Sequence, residues 1–224
     1  MVERFGKGNR IALVEDPDAE YLLVLPVDGR DIAAMDRQAD LIAERTNSPF
    51  TLAAFAVDSW NDDLSPWEAP PVFGKDAFGS GAPQTLAFLE DQLVPDVIDR
   101  CGLPADIPVI LGGYSLAGLF ALWSAYRTTS FSAIAAVSPS VWFPGWIDFA
   151  AGREPMAQCI YLSLGDREEK AKNPVMARVG ECIRRQHSLL DGRGIDTVLE
   201  WNPGNHFTDP EKRLAKGFAW CMGS

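Results

Sequence analysis

A serine hydroxyl is a weak nucleophile unless a tight turn exposes it beside a base, so a serine in a glycine-rich string between a strand and a helix is the first residue to weigh. The segment Gly112-Gly113-Tyr114-Ser115-Leu116-Ala117-Gly118 is such a string, with the apolar run Pro108-Val109-Ile110-Leu111 before it and a helical pattern, Leu119 to Tyr126, after it. On a sharp strand-to-helix turn the serine takes a strained backbone conformation, and the residues two before and two after it must be small for strand and helix to approach. Gly113 and Ala117 meet that demand; Ala117 stands where the usual Gly-x-Ser-x-Gly pattern has its second glycine. The turn exposes the Ser115 hydroxyl above the sheet and aims the backbone N–H of Leu116, at a helix N-terminus, toward a developing oxyanion. The chemistry implied is nucleophilic attack on an acyl carbon.

Such a serine needs a base, and the chain has two histidines. His187 lies in Arg184-Arg185-Gln186-His187-Ser188, the polar side of a helical stretch, where a solvated face is the natural reading. His206 lies in the Pro/Gly loop Trp201-Asn202-Pro203-Gly204-Asn205-His206-Phe207 after the last strand pattern, where hydrolases ordered serine, acid, histidine place their base. The acid should follow the strand between these two, and Gln158–Leu164 runs into Gly165-Asp166-Arg167-Glu168-Glu169-Lys170. Three carboxylates, Asp166, Glu168 and Glu169, compete there.

The elements that must hold these residues are legible as alternating patterns. Strand-like runs occur at Arg10–Val14, Tyr21–Val27, Phe50–Val57, Val109–Tyr114, Ala133–Ser138, Cys159–Leu164 and Thr197–Trp201, several continuously apolar as strands covered on both faces should be. Helix-period patterns occupy Asp31–Thr46, Gln84–Arg100, Leu116–Tyr126, Pro174–Leu190 and Pro210–Cys221. Strands alternating with helices predict an α/β fold, a doubly wound, mostly parallel sheet with helices on both faces, formed as a single domain over residues 1–224. In such sheets ligands bind outside the carboxyl ends of the strands. The one long irregular region, Ser65 to Pro83, is expected to wall a pocket there.

Composition narrows the partners. Thirty-one Asp and Glu against 20 Lys and Arg give a net charge of −11, which repels phosphate backbones and anionic lipid surfaces, so neither nucleic acid nor membrane is expected. Apolar runs such as Tyr21–Val27 fall far short of the ~20 residues that cross a bilayer, and Met1-Val2-Glu3-Arg4-Phe5 lacks a signal-peptide core, so a cytoplasmic location is expected. Cys101, Cys159, Cys182 and Cys221 are scattered, with no Cys-x-x-Cys spacing, which predicts neither a disulfide framework nor a metal site. Nothing suggests a phosphate cradle or any other cofactor.

Taken together, Gly113–Gly118, the later Val137-Ser138-Pro139-Ser140-Val141-Trp142-Phe143, and Phe78-Gly79-Ser80-Gly81-Ala82 leading into Phe88-Leu89 and Leu93-Val94-Pro95 resemble an esterase family of α/β hydrolases. That family includes enterochelin-type esterases, esterase D, feruloyl esterases and mycolyltransferases, and the resemblance spans roughly Tyr21 to Cys221. It implies the α/β-hydrolase fold, Ser115 as nucleophile, His206 as base and an acid in the Gly165–Glu168 turn, where enterochelin-type members also carry an Arg-Glu pair like Arg167-Glu168. In many α/β hydrolases the acid stands three residues past the glycine that ends this strand, which selects Glu168, with Asp166 second and Glu169 third. The longer Glu168 side chain also reaches further toward the histidine loop, whereas Asp166 is suited to holding the turn through backbone N–H groups. Val27-Asp28-Gly29-Arg30 looks like the family's second oxyanion loop, with the donor near Gly29 or Arg30. Two departures stand out: Ala117 in the elbow, and an N-terminal stretch too short for the additional domain of ferric-enterochelin hydrolases.

Seven tryptophans are many for 224 residues, and Trp60, Trp67, Trp142 and Trp146 fall after strands, where aromatics can line an acyl or aryl pocket; Trp67 and Trp142 are the chosen substrate contacts, with Phe73 as a further candidate wall. In Asp62-Asp63-Leu64-Ser65-Pro66-Trp67, which resembles the family's Asp-Leu-Thr-Pro turn, the carboxylate is expected to hold loop backbone. The expectation is a serine hydrolase acting on a small-molecule carboxylic ester or thioester. Its rivals are an acyltransferase using the same three residues and a ligand-binding protein that kept the fold without the reaction; a homo-oligomer is compatible with the sequence.

Overall fold

The computed structural model describes residues 2–5, 9–72 and 74–223, so Phe73 lies outside the described residues. The strands are β1 (Val2–Phe5), β2 (Asn9–Val14), β3 (Tyr21–Asp28), β4 (Phe50–Val57), β5 (Val109–Tyr114), β6 (Ala133–Val137), β7 (Cys159–Gly165) and β8 (Asp196–Asn202). They form one sheet in the order β1-β2-β4-β3-β5-β6-β7-β8. β2 runs antiparallel to both β1 and β4, and every pairing from β4 through β8 is parallel. The edge strand β1 was not among the strands expected; Val-Glu-Arg-Phe is four residues long and carries no continuous apolar run.

The helices are α1 (Met35–Ala43), α2 (Trp60–Asp63), α3 (Ala82–Phe88), α4 (Val94–Cys101), α5 (Leu116–Ser124), α6 (Trp146–Ala151), α7 (Val179–Asp191) and α8 (Pro210–Cys221). Side chains alternate across a strand, and in β3 Leu22 and Val24 join the core under α5 and α7 while Leu23 and Leu25 join the core under α1 and α8. Both faces are therefore covered, which is why β3 and β4 read as unbroken apolar runs. Helix α5 sits deepest: all nine of its residues are buried.

Three expected helices are interrupted. Between α3 and α4, Leu89–Leu93 widens into a π turn, with the Val94 N–H bonded to the carbonyl of Leu89. Pro95 explains it, because its ring has no N–H for the Asp91 carbonyl and would clash with it in a regular helix. Likewise a short 3₁₀ turn, Ile32–Ala34, precedes α1, and another, Met176–Arg178, precedes α7. Among the described residues no helix is long and apolar enough to cross a membrane.

The irregular region after α2 is tied down by Asp62: its side chain accepts the Ser80 N–H at 3.0 Å and its carbonyl accepts the Gly81 N–H at 2.9 Å. That holds Phe78 against Trp142 and Phe143 (centroids 6.2 and 5.1 Å apart), beside the carboxyl ends of the central strands.

Candidate active site

β5 ends at Tyr114 and α5 begins at Leu116, leaving Ser115 alone on the turn with φ 60° and ψ −119°. A non-glycine residue there carries strain of order 1–3 kcal/mol, which the neighbours must hold. They do so through the Ser115 N–H on the Val137 carbonyl (3.1 Å) and the Ser115 carbonyl, which accepts from the N–H groups of Leu119 and Ser140 (both 3.0 Å). A Cβ on Gly113 would lie 2.2 Å from the Ala117 carbonyl oxygen, and one on Gly118 would lie 2.9 Å from the Gly113 carbonyl oxygen. The departure at Ala117 is thereby explained: its methyl is accommodated, and Gly118 takes the close approach to the strand.

Around this turn the structure brings together the three residues singled out in the sequence. The Nε2 atom of His206 lies 3.1 Å from the Ser115 Oγ, and its Nδ1 lies 2.7 Å from Oε2 of Glu168. A carboxylate at Nδ1 only accepts, so Nδ1 carries the proton and the Nε2 lone pair faces the serine hydroxyl, which donates to it. The competing carboxylates are elsewhere. Asp166 accepts the Gly204 N–H at 2.8 Å and so joins the acid turn to the histidine loop, while Glu169 pairs with Arg184 at 2.9 Å. His187 lies half-buried on α7.

Glu168 is itself fully occupied. Its Oε1 accepts from the Gly165 N–H (2.7 Å), the Ser138 hydroxyl (2.7 Å) and Nη1 of Arg213 (3.1 Å). Burial pushes its carboxyl upward, but the hydrogen bond and charge of His206, the Gly165 N–H and the Ser138 hydroxyl together outweigh it and hold the group below the usual glutamate value of 4.5. A carboxyl with a depressed native pKa contributes stability above its unfolded pKa and loses it as pH falls through the native one. The difference in melting temperature between the wild type and Glu168→Gln, followed by calorimetry, should accordingly shrink as pH is lowered from about 5 toward 3. A difference that stays constant would contradict the depressed value.

Arg213, Ser138 and Tyr114 were not found by the sequence reading. Arg213 lies on α8 at helical spacing from polar neighbours and reads as surface, yet its side chain is 3% exposed and Glu168's is 5% exposed. Tyr114 donates its hydroxyl to the His206 carbonyl at 2.6 Å, and Ser138 leaves β6 with φ 44°, which turns its hydroxyl onto Glu168. The only available signals were Tyr114 beside the serine and Ser138 at a strand's carboxyl end.

Two cavities meet at Ser115. The larger, about 700 Å³, lies under α1 and the start of α8 and has Asp28, Arg30, Arg37 and Glu211 on its walls. The smaller, about 370 Å³, is lined by Phe78, Leu116, Ser140, Trp142 and Met176. Trp60, Asn61, His206 and Phe207 border both, and Phe207 is 85% exposed. Trp142 therefore lines a cavity beside Ser115. Trp67 does not: it lines neither cavity, its indole N–H donates to the Pro144 carbonyl at 2.9 Å, and its ring packs on Phe143 and Phe149. An indole that finds both a buried acceptor and aromatic neighbours is better satisfied inside than at a cavity wall. Trp146 is likewise core, its N–H on Gln186.

Leu116 opens α5, so its N–H is one of the first four that have no partner within the helix, and the residue lines the smaller cavity beside Ser115. The Gly29 turn follows β3, where Asp28 accepts from the Arg30 N–H at 2.9 Å and its carboxylate pairs with the Arg30 guanidinium. Asp28 and Arg30 wall the larger cavity. Among the described residues no group of three or more His, Cys, Asp or Glu is arranged to hold a metal ion.

A sheet of this strand order with β2 antiparallel, and an elbow after β5, is the α/β-hydrolase fold. No family model matches the sequence, and no curated protein matches it either. Solved structures do. An IroE-like serine hydrolase from Shewanella oneidensis superposes with a TM-score of 0.77 at 20% identity, over 98% of this chain and 79% of that one. The siderophore hydrolase EstA from Aspergillus nidulans gives 0.75 at 19% identity over 100% and 93% of the two chains. The enterobactin hydrolase IroE, in complex with DFP, gives 0.70 at 16% identity over 100% and 94%.

Proposed function

We propose that this protein is a serine hydrolase that cleaves a small-molecule carboxylic ester through an acyl-enzyme. The observation that carries the reading is the unbroken run of hydrogen bonds from Ser115 Oγ through His206 to a buried, ionised Glu168. His206 Nε2 takes the proton as Ser115 Oγ bonds to the ester carbon, and the carbonyl oxygen becomes an oxyanion facing the N–H of Leu116 and a backbone N–H of the Gly29 turn. The imidazolium then returns its proton to the departing alkoxide, leaving the acyl group on Ser115. Water attacks in turn, His206 taking and returning a proton, and free serine and acid are released. Glu168 stays ionised throughout and stabilises the imidazolium.

The smaller, aromatic-walled cavity suits a compact apolar or aryl arm of the ester, and the larger one, apolar with charged groups on its walls, a bulkier arm of mixed character. Esters of the siderophore kind fit that division, and two of the similar structures are a siderophore hydrolase and an enterobactin hydrolase. Four free cysteines accord with a reducing, cytoplasmic setting. The test is a hydrolysis panel of p-nitrophenyl esters of graded chain length, aryl esters, thioesters and catecholate trilactones, run beside labelling by a fluorophosphonate. We expect turnover of at least one ester class and stoichiometric labelling of Ser115, with kcat/KM falling on the acid side as the general base is protonated. Absence of labelling would refute the reading.

A further inference from the structure

Arg213 is buried against Glu168. It reaches from α8 with both terminal nitrogens engaged: Nη1 on Glu168 Oε1 (3.1 Å), the Tyr114 hydroxyl and the Ser138 hydroxyl (both 3.3 Å), and Nη2 on the carbonyls of Pro203 (2.9 Å) and Asn205 (3.0 Å). One guanidinium thus touches the acid and, through two carbonyls, the loop that presents His206. Gly165 makes room for it: a Cβ there would lie 3.0 Å from each terminal guanidinium nitrogen and 2.5 Å from the Gly204 carbonyl oxygen.

We propose that Arg213 is a positioning residue with two separable tasks, its charge offsetting Glu168 so that the carboxylate orients His206 without holding it protonated, and its planar fork fixing the histidine loop. The inference rests on the reading of Ser115, His206 and Glu168 given above. A bare buried carboxylate 2.7 Å from an imidazole favours the imidazolium, which cannot accept the serine proton; a cation on the carboxylate's other oxygen reduces that pull. The other groups around His206 are the Tyr114 hydroxyl on its carbonyl and the Ser115 hydroxyl on its ring. Across the larger cavity stand Asp28, Arg30, Asp31, Arg37 and Glu211, of both signs. Of these charges, Arg213 is the one in direct contact with Glu168.

The fork is a separate matter. Lysine keeps the charge but carries one nitrogen with three donors, so it cannot bond the acid and both loop carbonyls in the geometry that two terminal nitrogens allow. Arg213→Lys should therefore leave the His206 titration within about 0.3 pH units of wild type while lowering kcat on p-nitrophenyl butyrate by about tenfold. Arg213→Met should raise the midpoint by about one pH unit, costing up to about a further tenfold in kcat/KM on the acid side of it. Arg213→Gln serves as a second neutral variant should the methionine protein not fold, with the same direction expected.

The midpoint is read by NMR on the imidazole protons in a His187→Ala background, which leaves His206 as the single histidine. That measurement uses no substrate, so it reports on Arg213 whether or not an ester is turned over; failure of fluorophosphonate labelling in wild type would instead overturn the hydrolase reading. A neutral variant that titrates like wild type would overturn the charge task, and a lysine variant with wild-type kcat would overturn the fork. A merely structural role would lower the folded fraction and leave the midpoint of the folded molecules where it was.

Discussion

Ser115→Ala should lower kcat by about 10⁶ and abolish covalent labelling, with the melting temperature no lower than that of wild type. The magnitude follows from what the substitution removes. Without the hydroxyl there is no acyl-enzyme, and the remaining acceleration comes from the oxyanion donors and from substrate binding, which in dissected triads leave about 10³–10⁴ over water. Alanine also loses nothing structural, since Ser115 is held by its backbone N–H and carbonyl and its side chain bonds only within the site. His206→Ala should fall about as far, and the double variant no further, because the residues act as one unit. Steady-state kinetics on the best ester of the panel checks this; activity above about a tenth of wild type in Ser115→Ala would exclude the serine as nucleophile.

Glu168→Gln should cost about 10⁴ in kcat. Charge is part of the reason, but the geometry adds a more specific one. Oε1 accepts from three donors, the Gly165 N–H, the Ser138 hydroxyl and Arg213, so the carbonyl oxygen of a glutamine must take that place. Its NH₂ group is then turned onto Nδ1 of His206, which forces Nδ1 to accept and puts the ring proton on Nε2, facing the serine. The base becomes a donor at the atom where it must accept. Asp166→Asn, by contrast, weakens one backbone contact to Gly204 and should lower the melting temperature by a few degrees with kcat largely kept. Glu169→Gln loses only a half-exposed pair with Arg184 and should change either quantity little. Kinetics and melting of the three variants side by side decide the matter: a kcat loss in Asp166→Asn equal to that of Glu168→Gln would mean the acid is wrongly assigned.

Much of this site was legible because its parts are local. Gly113, Ser115 and Gly118 report a turn that only small residues permit, and the strand before and helix after it are among the most apolar segments of the chain. His206 stood out by position, just past the carboxyl end of a parallel strand, and position narrowed the acid to Asp166, Glu168 and Glu169 past the end of another. Arg213 was not, since an arginine on an amphipathic helix looks solvated until tertiary packing carries its guanidinium beneath the neighbouring loop. Trp67 failed for the opposite reason: composition marks it as a large aromatic after a strand, and nothing local says that its indole N–H finds the Pro144 carbonyl 77 residues away. The π turn at Leu89–Leu93 could have been anticipated from Pro95 inside an otherwise continuous helical pattern.

The placement of Arg213 on α8 also sets an order of events. The elbow draws on residues 113–140, and the acid turn is complete by residue 168, but the guanidinium that ties acid to histidine loop arrives with the last helix. A chain ending at His206 would hold Ser115 on its turn and the histidine loop through Tyr114 and the acid turn alone, without the two carbonyl bonds that Arg213 adds. The guanidinium's bonds to the acid turn and the histidine loop are made only when α8 docks beside α1, where Gln38 meets the Glu211 carbonyl from 173 residues away, so the last helix of the sequence closes the packing around Glu168.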